Sequence, residues 1–332
     1  MYIPKLYSGL GPKMGAFGKY TLPLTFSKFN TKDVVINTRK PGYSTVFDVS
    51  HMGIFETRNK EIIKDIFPVN LTSNKSKLTI LTDNKGNVID DLILGNVDNN
   101  KYRLVVNANT KDYYRSHDGL IEKKNKIILA IQGQHSQKLV ETLFRVKLDN
   151  LYFMNNMTLY QDMIEICRCG YTGEDGFELY LEKNIGKDII EYLIYLSCRD
   201  EKILFGGLIE RDLLRLESGL CLSGKEFGSN MNINYKALGM DFVIDKEYRN
   251  KDYFKSEFKR VGFTNKKPIK NGPILNTNNE EVGLITSSNK SFNLNTFIGM
   301  GYLKKTAFND NFHGDIKLAN LPFIAPNYYI SK

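Results

Sequence analysis

Residues 86–96 read GNVIDDLILGN, with two adjacent carboxylates, Asp90 and Asp91, inside a β-rich apolar run. A buried carboxylate without a partner is costly, so the pair needs neighbours or a function. The pattern predicts a hairpin with strands over 88–97 and 102–109, joined by a turn at 98–101. If Val97 lies opposite Tyr102, then Leu92 lies opposite Asn107. Side chains alternate with period two, so Asp90, Leu92, Asn107 and Asn109 share one face and Asp91 points to the other. Asp90 then has amide neighbours, as in a polar cluster that builds a ligand pocket. A slip of one residue in register would undo that pairing.

Two more stretches carry chemistry-bearing residues. Residues 170–180, GYTGEDGFELY, combine a turn with a strand. Gly170, Gly173 and Gly176 allow tight turns or close backbone approach to a ligand. Glu178 shares a face with Tyr180, and Phe177 and Leu179 face the core. The glycines match neither a phosphate-binding loop nor a dinucleotide fingerprint. A helix predicted over 207–218 sets Arg211 and Arg215 four residues apart, so both guanidinia reach one side. Periodicity alone favours an ordinary solvated pair near Glu210 and Glu217.

The elements that must position these groups are mixed. Helical periodicity recurs at 136–146 and 186–198, and short β-type runs fill 246–332. The fold class is α+β with an all-β C-terminal end. The 332 residues, 42% of them hydrophobic, suit two or three domains. The net charge of +9 suits an anionic partner, but no recognised motif accompanies it, so nucleic acid is not expected. No apolar run approaches the roughly 18 residues of a membrane span. The four histidines are far apart and Cys167-Arg168-Cys169 is C-x-C, so no metal site is expected. Free, mostly buried thiols are.

Nine stretches in order resemble the T-protein family of the glycine cleavage system, the tetrahydrofolate-dependent aminomethyltransferases: KMGAFGKYTLP, FDVSHMG, GNVIDDLIL, YRLVVNAN, AIQG, RCGYTGEDGFEL, ERDLLRLESGLCLSG, IGMGYL and PFIAPNYY. The resemblance runs from about residue 6 to the last residue. It implies transfer of a one-carbon unit from an aminomethyl group on the lipoyl arm of H-protein to tetrahydrofolate, the co-substrate, with loss of ammonia. It implies three domains in a cloverleaf around a central folate cavity: 1–45 with about 137–245, about 46–136, and a β-barrel or jelly-roll over about 246–332. A monomer is expected, and the ending PNYY is similar to the mitochondrial branch.

Carried over by motif, the first aspartate of I-D-D-L, Asp90, is the catalytic carboxylate. It would orient the attacking folate nitrogen, accept its proton and stabilise developing positive charge. Asn107 of V-V-N and Glu178 of G-Y-T-G-E-D-G-x-E bind the pterin. The two N–H donors on the amino-pyrimidinone edge suit a carboxylate. Arg211 helps hold folate, Tyr328 contacts the ligand, and Met52 lines the pocket. The chain departs from the family in having no tryptophan, with Gly18-Lys19 and the neighbourhood of Met240 as affected positions, and in offering Lys270 where an arginine is common. Two competing readings are a degenerate folate-binding module and a folate-dependent iron–sulfur assembly relative. The second carries a Lys-Gly-Cys motif where this chain reads RCGYTGEDGFE.

Overall fold

The structure, a computed structural model, describes residues 4–67, 69–98, 101–245 and 256–330. It is mixed α+β, with three larger sheets, a two-stranded ribbon and short helices. The six-stranded sheet runs Asn156–Leu159, Ile164–Cys167, Gly176–Glu182, Lys126–Gln132, Ser44–Asp48, Ile203–Phe205. Its central segments, such as KIILAIQ, are apolar almost throughout because both faces are covered. Leu129, Ile131, Phe177 and Leu179 pack with residues of helices Ser136–Phe144 and Lys183–Ser197. On the alternate positions, Ile128, Ala130 and Tyr180 share a core with Leu213 and Leu214 of helix Leu208–Glu217.

A five-stranded antiparallel sheet follows the order Lys75–Thr82, Val88–Asp98, Lys101–Val106, Gly53–Thr57, Ile121–Glu122. Ser44–Asp48 and Lys126–Gln132 belong to the six-stranded sheet, so by pairing the middle unit starts after Asp48 and ends before Lys126. The C-terminal β-runs form five strands in one sheet, ordered Gly272–Leu275, Glu281–Ser291, Thr296–Lys304, Phe258–Asn265, Lys317–Ala319. The expected boundary at 245–246 adjoins residues outside the described set. The ribbon pairs Pro12–Phe17 with Tyr20–Phe26.

The hairpin exists, with one change of register. Asn96 pairs with Tyr102 and Asp98 with Lys101, leaving Val97 as an extra residue in a bulge. Beyond the bulge Leu92 faces Val106, not Asn107. Continuing the register brings Asn107 opposite Asp91. The expected sharing of a face by Asp90, Leu92 and Asn107 is therefore corrected: the extra residue shifts every later pair by one. Burial along the strand alternates accordingly. Val88, Asp90, Leu92 and Leu94 are buried, while Ile89, Asp91 and Ile93 are partly exposed.

Candidate functional site

A cavity of about 990 Å³ opens where the ribbon, the hairpin, the Gly170–Glu178 region and helix Leu208–Glu217 meet. Its volume falls within the usual range for small-molecule sites. Asp91, Ile93, Val105, Asn107 and Asn109 line it from the face that the shifted register gives to Asp91, joined by Leu92 and Ala108. Asp90 does not line it, and is 0% exposed. The expectation that Asp90 faces a ligand pocket is corrected here: strand alternation turns Asp90 into the core and Asp91 into the cavity.

Asn107 joins the two carboxylates. Its Nδ2 donates to Asp90 Oδ1 at 2.8 Å, to Asp91 Oδ1 at 2.7 Å and to the Asp91 carbonyl at 3.0 Å. The other Asp90 oxygen accepts from Thr110 Oγ1 at 2.7 Å and Tyr114 OH at 3.1 Å. Burial, reinforced by the charge of Asp91, pushes Asp90 up to about 7. Burial pushes Asp91 up to about 6, against the Asn107 hydrogen bond. Both carboxyls are thus poised near neutrality, where proton transfer is most useful.

Glu178 is buried on the cavity wall and accepts from Tyr180 OH at 2.8 Å, the same-face neighbour expected of a strand. It forms no ion pair among the described residues. Arg211 also lines the cavity, with its guanidinium 4.8 Å from the Tyr171 ring centroid and a buried Nη1 without a hydrogen-bond partner. Arg215, one turn on, is fully buried and bonded to Asp212, Glu226, Ser287 and the Leu220 carbonyl. The pair read from periodicity as solvated is therefore split into a cavity arginine and a buried one. Tyr328 lines the cavity and stacks on Phe153, with ring centroids 4.2 Å apart and planes at 9°. Met52 is half-buried against the core and also lines the cavity. All the expected binding residues thus meet in one place, and Asp91 replaces Asp90 there.

Several wall residues were not anticipated. His51 sits beside Met52 with a buried, unpartnered Nδ1, and its ring edges onto Phe17 at 5.3 Å. Burial, aided by the charges of Arg211 and Lys111, holds it down at about 3, so it is neutral. Tyr171 donates its hydroxyl to the Cys221 carbonyl. Both belong to quoted motifs, so spacing offered a signal. Phe153 and Arg260 offered none. Of the departures, Lys19 and Met240 lie on the wall, whereas Lys270 is exposed and off it. The C-terminal cation at the cavity is Arg260, bonded to the carbonyls of Leu238 at 2.7 Å and Gly219 at 2.6 Å. The glycines serve the scaffold: a Cβ at Gly170 or Gly176 would collide with the Gln132 side chain at 1.8 and 2.4 Å.

Residues 4–248 match the GCVT family over its N-terminal domain. The chain belongs to the GCVT family. An aminomethyltransferase of Flavobacterium psychrophilum is 30% identical over 328 residues, covering 91% of this chain and 90% of that protein. A mitochondrial aminomethyltransferase of Solanum tuberosum is 29% identical over 332 residues, covering 89% and 80%. The crystal structure of the glycine cleavage system aminomethyltransferase T from Bartonella henselae matches with a TM-score of 0.85 at 25% identity, covering 98% of each chain. With 98% of each chain covered, that likeness of fold extends over the whole length of this GCVT protein.

Proposed function

We propose that this protein is the aminomethyltransferase of glycine cleavage. It receives an aminomethyl group on the lipoyl arm of H-protein and passes the carbon to tetrahydrofolate, releasing ammonium and the dihydrolipoyl thiol. The observation that carries the site assignment is the carboxylate of Asp91, open to a large cavity and tied to Asn107. The reaction needs a group that orients the attacking folate nitrogen, takes up its proton and offsets positive charge at the transferred carbon. Asp91 has the position for all three. Asn107 and Glu178 hold the pterin, Arg211 supplies a free guanidinium N–H, and Tyr328 and Met52 close the apolar side.

The three β-sheet units are read as three domains around this cavity, with the residues after 255 as the third. The lipoyl arm enters opposite the folate tail. A mitochondrial site of action rests on the PNYY ending and the potato relative, set against bacterial relatives of similar identity.

The test is methylenetetrahydrofolate formation from tetrahydrofolate and aminomethyl-loaded H-protein. Wild type should turn over. Asp91→Asn should lose about 10²-fold or more in kcat while still binding folate, as expected for loss of a proton-transferring group. Folate binding without turnover in the wild type would favour a degenerate binding module.

A further inference from the structure

His51 lines the cavity and is 8% exposed. Its ring contacts are with Phe17 at 5.3 Å and Tyr20 at 6.3 Å. Its Nδ1 is buried without a hydrogen-bond partner. A buried polar atom left open on a cavity wall points to a partner that arrives with the ligand. Two cations stand near the ring. Lys111 packs over Gly53, where a Cβ would lie 3.1 Å from its Cγ, and holds its ammonium 5.2 Å from the Tyr20 centroid. Arg211 keeps a buried Nη1 without a partner. Neither cation joins an ion pair among the described residues. Glu178, on the same wall, offsets the Arg211 charge in part. Burial, with the charges of Arg211 and Lys111, keeps the His51 ring neutral. A neutral imidazole has one N–H to donate, and cationic surroundings favour a negative group over an ammonium. The ring is also close to Asp91. Gly53, Val106 and Leu92 pair in one row across three strands. Strands stand about 4.8 Å apart, so the row spans about 10 Å. His51 precedes one end of that row by two residues and Asp91 precedes the other by one, so one small substrate reaches both.

We propose that His51 is a further catalytic residue: its N–H, backed by Lys111 and Arg211, holds the sulfur of the lipoyl arm as that sulfur departs with negative charge. This rests on the aminomethyl-transfer reading above. In the transfer the first folate nitrogen bonds to the methylene carbon while the carbon–sulfur bond breaks, and the electron pair of that bond stays on sulfur. The proton of the attacking nitrogen goes to Asp91. The second folate nitrogen then displaces the amino group, which leaves with that nitrogen's proton as ammonia. The thiolate takes a proton from water, and Asp91 returns its own. Of the reacting atoms only the sulfur gains negative charge, and a fixed N–H in a cationic corner stabilises such charge as it develops.

The experiment titrates the thiol of dihydrolipoyl H-protein, read as its ultraviolet absorbance difference from the oxidised carrier, alone and with wild type, His51→Phe and His51→Gln. Turnover, tetrahydrofolate affinity and thermal melting are recorded for each. Wild type should lower the thiol midpoint by about one pH unit. His51→Phe keeps a ring and loses the N–H. It should abolish most of that shift and lower kcat about tenfold or more, with tetrahydrofolate affinity unchanged. His51→Gln returns an N–H donor and should recover part of both. A packing role alone would move the melting temperature and leave the thiol midpoint in place. The absence of a shift with wild type overturns the proposal, as does a shift that survives in His51→Phe. A His51→Phe variant that weakens tetrahydrofolate and spares kcat also overturns it, and gives the corner to a carboxylate or carbonyl of the folate. If His51→Phe does not fold, Lys111→Met decides: it should lose part of the shift, and a full shift there overturns the proposal. Wild type with neither turnover nor carrier binding overturns the transfer reading itself, an outcome distinct from the others.

Discussion

Asp90 and Asp91 are neighbours in the chain but lie in opposite environments, because successive strand side chains point to opposite faces. Both accept from Asn107, and the charge of Asp91 helps raise Asp90. For catalysis, Asp91 must be ionised to take a proton. kcat/KM should therefore rise with pH up to about 6 and level off above it, and Asp91→Asn should flatten that limb. For stability the sign is opposite. A carboxyl held above its ordinary value binds a proton more readily in the folded state than in the unfolded one, so the folded state is favoured at low pH. Asp90 is pushed up to about 7, so its contribution should be present below about pH 4 and decline as pH rises through 7. Chemical denaturation of wild type and Asp90→Asn across this range should show the difference in slope. Tyr328 makes its described ring contact with Phe153 at the cavity wall. Tyr328→Ala should raise KM for tetrahydrofolate severalfold and leave melting nearly unchanged.

Helix Leu208–Glu217 presents two arginines four residues apart with different tasks. Arg215 bridges Glu226 at 2.9 Å and Ser287 at 2.8 Å, and both are buried. Arg215→Leu leaves Glu226 buried without its cation and should cost about 3–5 kcal/mol in unfolding free energy. Arg211→Leu removes a guanidinium with an unpaired nitrogen. It should weaken folate binding while the melting temperature holds. The helix and its arginine spacing were legible from the 3.6-residue period, but their split was not, because Glu226 lies past the end of the helix and Ser287 in a distant strand. The hairpin was legible in the same way. The Val97 bulge was not, because it is fixed by the pairing of two strands and by packing, not by either strand's composition. That single residue moves Asn107 off the strand face of Asp90 and onto that of Asp91. Asn107, Glu178, Arg211, Tyr328 and Met52, which line the cavity, were singled out through ordered motifs; nothing local marked Arg260 as a cavity residue.

At the scale of the whole molecule, ion pairs join separate sheets. A second cavity of about 660 Å³ is lined by Lys101, Lys126, Glu56 and Asp162, whose charges already pair with one another and with Glu165. That cluster braces the middle sheet against the six-stranded one. The chain as a whole carries a net charge of +9. Association with an acidic lipoyl carrier should be faster at low ionic strength and slow as salt is added; a rate independent of salt would rule out steering.

The 990 Å³ cavity is walled by residues as far apart in the chain as Phe17 and Tyr328. Contacts spanning that much sequence close late, after the loop entropy between them has been overcome. A chain still assembling its sheets has no partial site to offer a ligand. Tetrahydrofolate should then leave the refolding rate unchanged and slow unfolding alone, lengthening the lifetime of finished molecules without helping new ones form.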